Sequence, residues 1–236
     1  GAGRLIEVRE IIGHMSMVLG RSGDLAGRKI VVSAGGTQEP IDPVRFISNR
    51  SSGKMGYAIA EAARDRGAAV TIVAAPGALA DLVGVQVVHV ETAMEMQNAV
   101  LAASEDADAL IMAAAVADWR PRDAADQKLK TGKAVSSELQ LVKTSDIVAG
   151  ISREGLVKVG FAAETEDLES NAQGKLTKKG IDLIVANDIS AEGSGFGSDT
   201  NEVVLIDADG GRETPGLLPK YEVGHRILDK VKGYLK

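Results

Sequence analysis

Residues 54–75, KMGYAIAEAARDRGAAVTIVAA, join two patterns that together decide the fold. The first part, 54–67, predicts a helix that ends at Gly67, because glycine commonly terminates helices. The second part, 68–75, is an uninterrupted apolar run that stops at Pro76-Gly77, which is typical of a strand buried on both faces. A helix that leads into such a strand is the repeating unit of a parallel α/β sheet.

The same alternation continues along the chain in both directions. Further runs predict strands at 28–34, 85–90, 108–116, 137–143, 156–164 and 181–188, and a hairpin at 201–214 that turns at Asp209-Gly210. Helices are predicted at 92–103 with Thr92 as N-cap, 145–154, 166–180 and 217–236. The pattern predicts a doubly wound, mostly parallel, Rossmann-like α/β sheet with helices on both faces. Residues 118–133 lack apolar rhythm and predict a long mobile loop.

Length and composition exclude several classes of protein. The chain has 236 residues, a net charge of −6 and no cysteine, so we expect one α/β domain, residues 27–236, without disulfides, thiolate zinc sites or a cysteine nucleophile. The acidic balance argues against nucleic acid, and no apolar run is long enough for a membrane span. No signal peptide is visible, which predicts a cytoplasmic protein. The three histidines, His14, His89 and His225, lie far apart and outside the glycine-rich stretches, and we expect them to be structural or surface residues.

Residues 4–20 predict an amphipathic helix ahead of the main domain. Its apolar residues follow a 3,4,3,4 spacing and form one stripe, made of Leu5, Val8, Ile12, Met15 and Leu19. The stripe is expected to pack on the main domain or, equally, to belong to a connector from a preceding domain. We therefore treat residues 1–26 as an N-terminal helix and linker.

A candidate anion site opens the helix at 54–67. Gly53 and Gly56 allow a ligand to approach backbone N–H groups, and the helix N-terminus adds partial positive charge. Ser51 and Ser52 add hydroxyls, and Gly35-Gly36 follow the first strand at the same edge of the sheet. These glycines could instead serve tight helix–sheet packing alone. The serines and the second glycine pair favour phosphate binding.

Two common phosphate-binding motifs fit this stretch poorly. The P-loop requires glycine where Ser48 stands and Ser or Thr where Met55 follows the lysine. The dinucleotide fingerprint requires its glycines directly after the first strand and an acidic residue after the second, which here ends in Ala75-Pro76. NAD is therefore disfavoured. The insert at 37–50 is stiffened by two prolines and presents Arg45 and Asn49 in front of the glycines, although Asn49 could simply cap the helix.

Several ordered motifs resemble those of phosphopantothenoylcysteine synthetase. They are VSAGGTQEPIDPVRFISNRSSGKMGYAIAEAA, AAAVADWRP, KLK, SDIVAGI, VGFAAET and IDLIVANDIS with GFGSDTN, and they cover nearly everything after Gly27. The resemblance implies a ligase, unrelated to the ATP-grasp enzymes, that makes an acyl-cytidylate of 4′-phosphopantothenate from CTP, releasing pyrophosphate. L-cysteine then displaces CMP to form the amide, in a step of coenzyme A biosynthesis. It also implies Mg2+, a homodimer and fusion to a decarboxylase domain. No metal cage is apparent, so the triphosphate is expected to hold the ion.

The resemblance also implies roles for individual residues. It assigns catalytic roles to Asn49 and to Lys128, which lies on a flap. The family has K-x-K-K in this flap, whereas this chain has Lys128-Leu129-Lys130-Thr131 and so lacks the last lysine. Substrate contacts fall to Arg45, reaching the other protomer's substrate phosphate, and to Asn49, Ala114, Ala115 and Asp118. Nucleotide binding falls to Gly35, Ser51, Gly53, Gly56, Ala113, Ala114, Asp118, Lys128, Ser145, Asp146, Ile147, Val148, Phe161, Lys175, Lys179 and Asn187.

By residue type alone, simpler interpretations exist for several of these. Asp118 could cap a turn, Asp146 could favour a helix N-terminus, Phe161 could be core, and Lys175 and Lys179 could lie on a solvated helix face. Two alternative functions stay open at this point. One is an NAD(P)-dependent oxidoreductase on a Rossmann-like fold, and the other is a nucleotide sensor without catalysis.

Overall fold

A computed structural model describes residues 3, 5–77, 79–130, 138–164, 176, 179–188, 195 and 197–235. Its helices are α1 Val8–Gly20, α2 Lys54–Asp65, α3 Ala93–Ala103 and α4 Lys220–Tyr234. Its strands are β1 Lys29–Ala34, β2 Gln38–Pro40, β3 Phe46–Ser48, β4 Ala69–Ala74, β5 Gln86–His89, β6 Ala109–Met112, β7 Trp119–Pro121, β8 Leu141–Lys143, β9 Val157–Glu164, β10 Leu183–Asp188, β11 Thr200–Asp207, β12 Arg212–Glu213 and β13 Leu217–Pro219.

Within these described ranges, nine strands form the central sheet. Its order is β12-β11-β10-β9-β6-β1-β4-β5, with β13 also paired to β11. The neighbouring strands β10, β9, β6, β1, β4 and β5 run parallel. At one edge, β11 pairs antiparallel with β10, β12 and β13. The predicted hairpin at 201–214 is this β11–β12 pair, with Gly210 at φ +85 in its turn.

Helices cover both faces of the sheet, as the continuous apolar strands predict. On one face, α2 and α4 pack over alternate strand residues such as Ile30, Val32 and Ile72. On the other face, α3 packs over the residues between them, including Val31 and Val73. The doubly wound, mostly parallel Rossmann-like fold is therefore confirmed. The predicted Thr92 N-cap is present as a full capping box with Glu95.

Two small antiparallel sheets lie outside the central one. Strands β2 and β3 form a hairpin within the insert, and β7 pairs with β8. The prediction of a sheet strand at 137–143 was wrong in its pairing, because among the described residues 138–143 only 141–143 form a strand, and they join β7. Leu141 and Lys143 are exposed on β8, so this strand has no face to bury in the central sheet.

Three other predicted elements differ from the structure. The helix expected at 145–154 is a single turn at 147–150, because the Asp146 side chain caps the Ala149 N–H and Gly150 disfavours continuation. The closing helix begins at Lys220 after the short strand β13, not at 217. The predicted loop at 118–133 contains strand β7, and its last three residues lie outside the described chain. The helix expected at 166–180 also falls largely outside, although Leu176 and Lys179 are helical.

Helix α1 begins at Val8, so Leu5 of the predicted helix precedes it, and the apolar stripe is not buried. Leu5 and Leu19 are 83% and 80% exposed, and the stripe residues between them are exposed as well. The helix contacts α2 through its opposite face, where Gly13 and Gly20 are buried. A Cβ added at Gly20 would lie 2.3 Å from the Asp65 carbonyl oxygen. Glycine therefore sets the close approach of the two helices, and the stripe faces away from the domain.

Candidate active site

The predicted anion site is built where β1 and α2 meet. Gly53 caps α2 with φ +74, a conformation that glycine adopts without strain. Gly56 packs directly on the strand, since a Cβ there would lie 2.6 Å from the Ala34 Cβ. The packing role of this glycine is therefore real, and it brings the N-terminal amides of α2 to the carboxyl end of β1, as anion binding requires.

Serine hydroxyls surround the same helix start. The Gly53 N–H donates to Ser51 Oγ over 3.3 Å, and the Lys54 N–H donates to Ser52 Oγ over 3.5 Å. The first bond within the helix runs from the Tyr57 N–H to the Gly53 carbonyl. The amides that precede Tyr57 have no acceptor within the helix, which is the geometry of an anion cradle.

The segment after β6 forms the floor beside this cradle. The Ala114 N–H donates to Ser33 Oγ over 3.1 Å, and the Ala115 N–H donates to the Gly35 carbonyl over 2.8 Å. Asn49 Nδ2 donates to the Val116 carbonyl over 3.0 Å and so fixes the amide at the rim. Small alanine side chains leave this floor open to a ligand.

Together these elements enclose a cavity of about 530 Å³, which we call the cradle cavity. It brings together ten of the predicted site residues: Asn49, Ser51, Gly53, Gly56, Ala113, Ala114, Ala115, Asp118, Phe161 and Asn187. Ser52, whose hydroxyl the sequence analysis placed at the anion site, lines it too. Sequence reasoning missed other residues in its wall, namely Arg50, Lys54, Met55, Val116, Ala162, Gly195, Asn201 and Lys220.

Three of the missed residues, Arg50, Lys54 and Lys220, place positive charge at the cradle cavity. Lys220, the first residue of α4, is buried, and its Nζ donates to the carbonyls of Gly195 and Thr200 over 3.0 Å each and to that of Ser198. Burial lowers the pKa of Lys220, and the neighbouring Lys54 lowers it further. Lys54 Nζ pairs with Asp199 Oδ1 at 2.7 Å. Lys54 follows Gly53 directly, so its position could have been inferred; nothing in the local sequence signals Lys220.

A second cavity of about 330 Å³ adjoins the first, and we call it the turn cavity. The two cavities share a wall made of Ala114, Val116, Asp118 and Phe161. The turn cavity is further lined by Met112, Lys143, Thr144, Ser145, Asp146, Ile147, Val148, Gly160, Lys179, Ile181 and Ile184. All four residues predicted from the SDIV motif are among them.

A charged pair dominates the turn cavity. Lys179 Nζ lies 2.8 Å from Asp146 Oδ2, so two residues predicted to bind nucleotide contact each other. Burial raises the pKa of Asp146, but hydrogen bonds from Lys179 and from the Ala149 N–H lower it by more, and its pKa lies below the ordinary value. The carboxylate is ionised at neutral pH and can accept hydrogen bonds from a ligand.

Four predicted site residues lie outside the two cavities or outside the described chain. Gly35 lies behind the cradle, lining a depression of about 30 Å³ with Ser52 and Gly53. Among the described residues, Arg45 and Lys128 line neither cavity; Arg45 lies on the β2–β3 hairpin, bonded to Asp42. Lys175 falls outside the described chain.

The described ranges show neither a metal cluster nor a membrane-spanning helix. There, no three His, Cys, Asp or Glu side chains come together as a metal site. Nor do those ranges contain a helix long and apolar enough to cross a membrane.

Comparisons with known proteins give a consistent family. The model of the DNA/pantothenate metabolism flavoprotein C-terminal domain matches residues 25–235. The coenzyme A biosynthesis bifunctional protein CoaBC of Vibrio parahaemolyticus is 44% identical, over 98% of this chain and 59% of that protein. CoaBC of Mycobacterium tuberculosis H37Rv is also 44% identical, over 100% of this chain and 60% of that protein. The chain thus spans about three fifths of the length of these relatives.

A solved structure shares the fold as well. The crystal structure of the C-terminal domain of a coenzyme A biosynthesis bifunctional protein CoaBC superposes with a TM-score of 0.77 and 39% identity. The match covers 90% of this chain and 97% of that one.

Proposed function

The chain belongs to the DNA/pantothenate metabolism flavoprotein C-terminal domain family, and from this premise we propose that it is a phosphopantothenate–cysteine ligase that uses CTP in coenzyme A biosynthesis. The single observation that carries the proposal is the pair of adjoining cavities. One presents helix amides, serines and cations for phosphate, the other presents a polar turn for a nucleobase, and they share the Ala114–Asp118 wall.

The proposed reaction has two displacement steps. A carboxylate oxygen of 4′-phosphopantothenate attacks the α-phosphorus of CTP, and pyrophosphate leaves. The amine of L-cysteine then attacks the acyl carbonyl, the bond to the CMP oxygen breaks, and the amine loses a proton. Neither step needs a nucleophile from the protein, which fits a chain without cysteine. The protein's task is positioning and charge neutralisation.

Residues around the cradle cavity suit these demands. Among the described residues that line it, Arg50, Lys54 and Lys220 face one carboxylate, Asp118, and Lys54 is also paired with Asp199 outside the lining. This excess of positive charge favours phosphoryl groups. Asn49 lies at the rim, and we assign it to the acyl oxygen that gains charge during activation. With one carboxylate available, Mg2+ enters as the counter-ion of CTP and not on a protein cage.

We assign the base of CTP to the turn cavity. The Asp146 carboxylate and the Ser145 hydroxyl offer acceptors and a donor for a nucleobase edge. The Thr144 hydroxyl donates to the Ala117 carbonyl over 2.6 Å and is left as an acceptor. Lys179 lines the same cavity. When CTP binds, its ammonium group would move from Asp146 to a phosphate of the nucleotide. The preference for CTP over ATP is part of the proposal, as is a cytoplasmic location.

A homodimer is proposed on the two small sheets. Large apolar side chains are exposed there, namely Val44, Phe46, Trp119, Leu139 and Leu141. Strand β2 contacts β7, so the β2–β3 hairpin and the β7–β8 pair form one surface. A second copy of the chain is the occupant we propose, with Arg45 carried on the same hairpin toward its substrate phosphate. Light scattering should give the mass of a dimer for the wild type and of a monomer for Phe46→Glu. A monomeric wild type would contradict the proposed homodimer.

Helix α1 is proposed to connect to a decarboxylase domain. The family model begins at residue 25, after α1, whereas the longer relatives match this chain over α1 as well. The exposed stripe faces away from the ligase domain. A double change, Ile12→Ser with Leu19→Ser, should leave ligase rate and melting temperature unchanged in this chain. A large loss of stability would show instead that the stripe packs on its own domain.

Pyrophosphate release tests the proposed function directly. The assay supplies Mg2+ with CTP or ATP, with and without 4′-phosphopantothenate and L-cysteine. We expect release that requires CTP and 4′-phosphopantothenate, and turnover to the amide that requires L-cysteine. CTP binding without release would favour the nucleotide sensor. Stabilisation by NADPH but not by CTP would favour the oxidoreductase, to which the comparisons give no support.

A further inference from the structure

Asp42 occupies an unusual position in the turn of the β2–β3 hairpin. Its side chain is 0% exposed, although Arg45 beside it is 43% exposed. Oδ1 accepts the N–H groups of Val44 and Arg45, each over 2.9 Å. These two bonds cap the turn locally, as an aspartate in an Asx-turn does. One oxygen of the carboxylate is thus explained by the hairpin itself.

The other oxygen serves a different part of the chain. Oδ2 accepts Arg45 Nε over 2.9 Å and also the Arg45 Nη2, and it accepts the Leu129 N–H over 3.1 Å. Arg45 Nη2 in turn donates to the Leu129 carbonyl over 2.9 Å. Both backbone groups of Leu129 are therefore held by the Asp42–Arg45 pair. The hairpin turn does not need this contact for its own geometry.

A second bond holds the same segment to the hairpin. The Ala125 N–H donates to the Ile41 carbonyl over 2.9 Å. Residues 125–130 are thus fixed at two points, and Lys128 and Lys130 flank the gripped residue. Two carboxylates, Asp42 and Asp126, lie among three basic side chains in the turn and this segment, and the charge of Asp42 is committed to Arg45. The patch therefore keeps a net positive charge for a polyanionic ligand.

We propose that Asp42 is a positioning residue that holds Lys128, through the backbone of Leu129, in a fixed relation to Arg45. The two cations are then presented together to phosphorylated ligands, an inference that rests on the proposed function. Without this grip, ordering the 125–130 segment around the ligand would cost conformational entropy in each turnover.

Hydrogen exchange tests the grip without any ligand or activity. In Asp42→Asn an amide NH2 group replaces the oxygen that accepts from the Arg45 guanidinium and the Leu129 N–H. Because all of these groups are donors, the hydrogen bonds are lost. We expect amides in 125–130 to exchange at least about 10-fold faster than in the wild type, because the local structure opens more readily. The matched control is Asp106→Asn, which removes an exposed carboxylate paired with Lys29, far from this segment. Unchanged exchange in Asp42→Asn would overturn the proposal.

A double-mutant cycle tests whether the grip acts through Lys128. Ala125→Pro removes the second tether and leaves Asp42 and Arg45 untouched. Because coupled residues give non-additive effects, we expect it to lower kcat/KM by about 10-fold alone but by no more than about 2-fold in the Lys128→Ala background. Additive losses would overturn the proposal, as a merely structural role predicts them. Melting curves confirm that each variant folds.

The two experiments separate this inference from the proposed function. If exchange accelerates in Asp42→Asn but no variant or wild type releases pyrophosphate, the ligase assignment fails and the contact is structural only. If the wild type is an active ligase and exchange is unchanged, the ligase assignment stands and the positioning role of Asp42 fails.

Discussion

The cradle cavity and the turn cavity share a wall, yet backbone groups form most of the first and side chains form most of the second. The cradle is made of backbone, with glycines that bring α2 against β1 and the N-terminal amides of α2 at the cavity. The turn cavity is made of side chains, with Asp146 and Lys179 from separate segments meeting as an ion pair. We therefore expect ligand binding in the cradle cavity to be sensitive to side-chain atoms added at its glycines. We expect ligand binding in the turn cavity to be sensitive to removal of a charged side chain.

The largest expected effect is at Gly56. In Gly56→Ala the new methyl would lie 2.6 Å from the Ala34 Cβ and 2.9 Å from the Ser33 carbonyl oxygen, in the central strand. We expect a loss of about 1–3 kcal/mol from overpacking, against which helix propensity returns up to about 1 kcal/mol. Displacing the amides of α2 by about 1 Å should slow pyrophosphate release by about 100-fold.

Gly233→Ala is the matched control, because nothing lies within 4 Å of a Cβ at that helical glycine. It should be neutral or slightly stabilising by urea unfolding and should keep full activity. If Gly56→Ala behaved like this control, the tight approach of α2 to β1 would not be what forms the cradle.

The same contrast explains what could be predicted from the sequence. The cradle follows from local signals, since Gly53, Gly56 and the serines lie within one short stretch beside a strand end. The turn cavity does not, because the pairing of Asp146 with Lys179 depends on how distant segments pack. Residues 145–154 even carry a helical pattern that a single Asx-capped turn replaces. Lys220 reaches the cradle from the last helix, which no local pattern indicates.

The exposed stripe of α1 shows a second limit. Its 3,4,3,4 spacing marks one face of a helix, as does the i, i+4, i+5, i+8 spacing in α4, where Val223, Ile227, Leu228 and Val231 are fully buried. Periodicity predicts a helix with an apolar face, but it does not say what covers that face. In α1 the glycines on the opposite side decide the packing.

In the turn cavity we expect charge removal to affect ligand binding more than stability. Lys179 and Asp146 are 34% and 44% exposed, so Lys179→Met should change the free energy of unfolding by less than about 1 kcal/mol. Loss of one cation near the triphosphate should raise the KM for CTP by about 10-fold. The control is Lys29→Met, which breaks the exposed Lys29–Asp106 pair and should leave that KM unchanged. Equal effects of the two changes on KM would contradict a specific role for Lys179.

A smaller effect is expected at Gly53, where space is available but the backbone is left-handed. A Cβ there would lie 3.4 Å from the Gly35 nitrogen, an ordinary contact, while φ is +74. Gly53→Ala should therefore cost about 1 kcal/mol of stability from backbone strain alone. Gly210→Ala, at φ +85 with open space, should cost the same. Urea unfolding compares the two, and a change of a few-fold in KM for CTP should appear only at Gly53. A much larger cost at Gly53 would show that the cradle is as crowded there as at Gly56.

The smallest expected effect is the pH dependence of the Asp146 contribution. The pKa of Asp146 is raised by burial and lowered by more through Lys179 and the Ala149 N–H, so in the folded state it lies below the ordinary 3.8. A carboxyl with a lowered folded pKa stabilises the protein above its unfolded pKa and loses that contribution as pH falls through the folded value. The difference in unfolding free energy between wild type and Asp146→Asn should be equal at pH 7 and pH 5 and smaller at pH 3. Its size should stay under about 1 kcal/mol, because the pair is partly exposed. Urea unfolding in sulfate buffer, which favours the folded state at low pH, measures it. A difference that already shrinks between pH 7 and pH 5 would mean that burial, and not Lys179, controls this carboxyl.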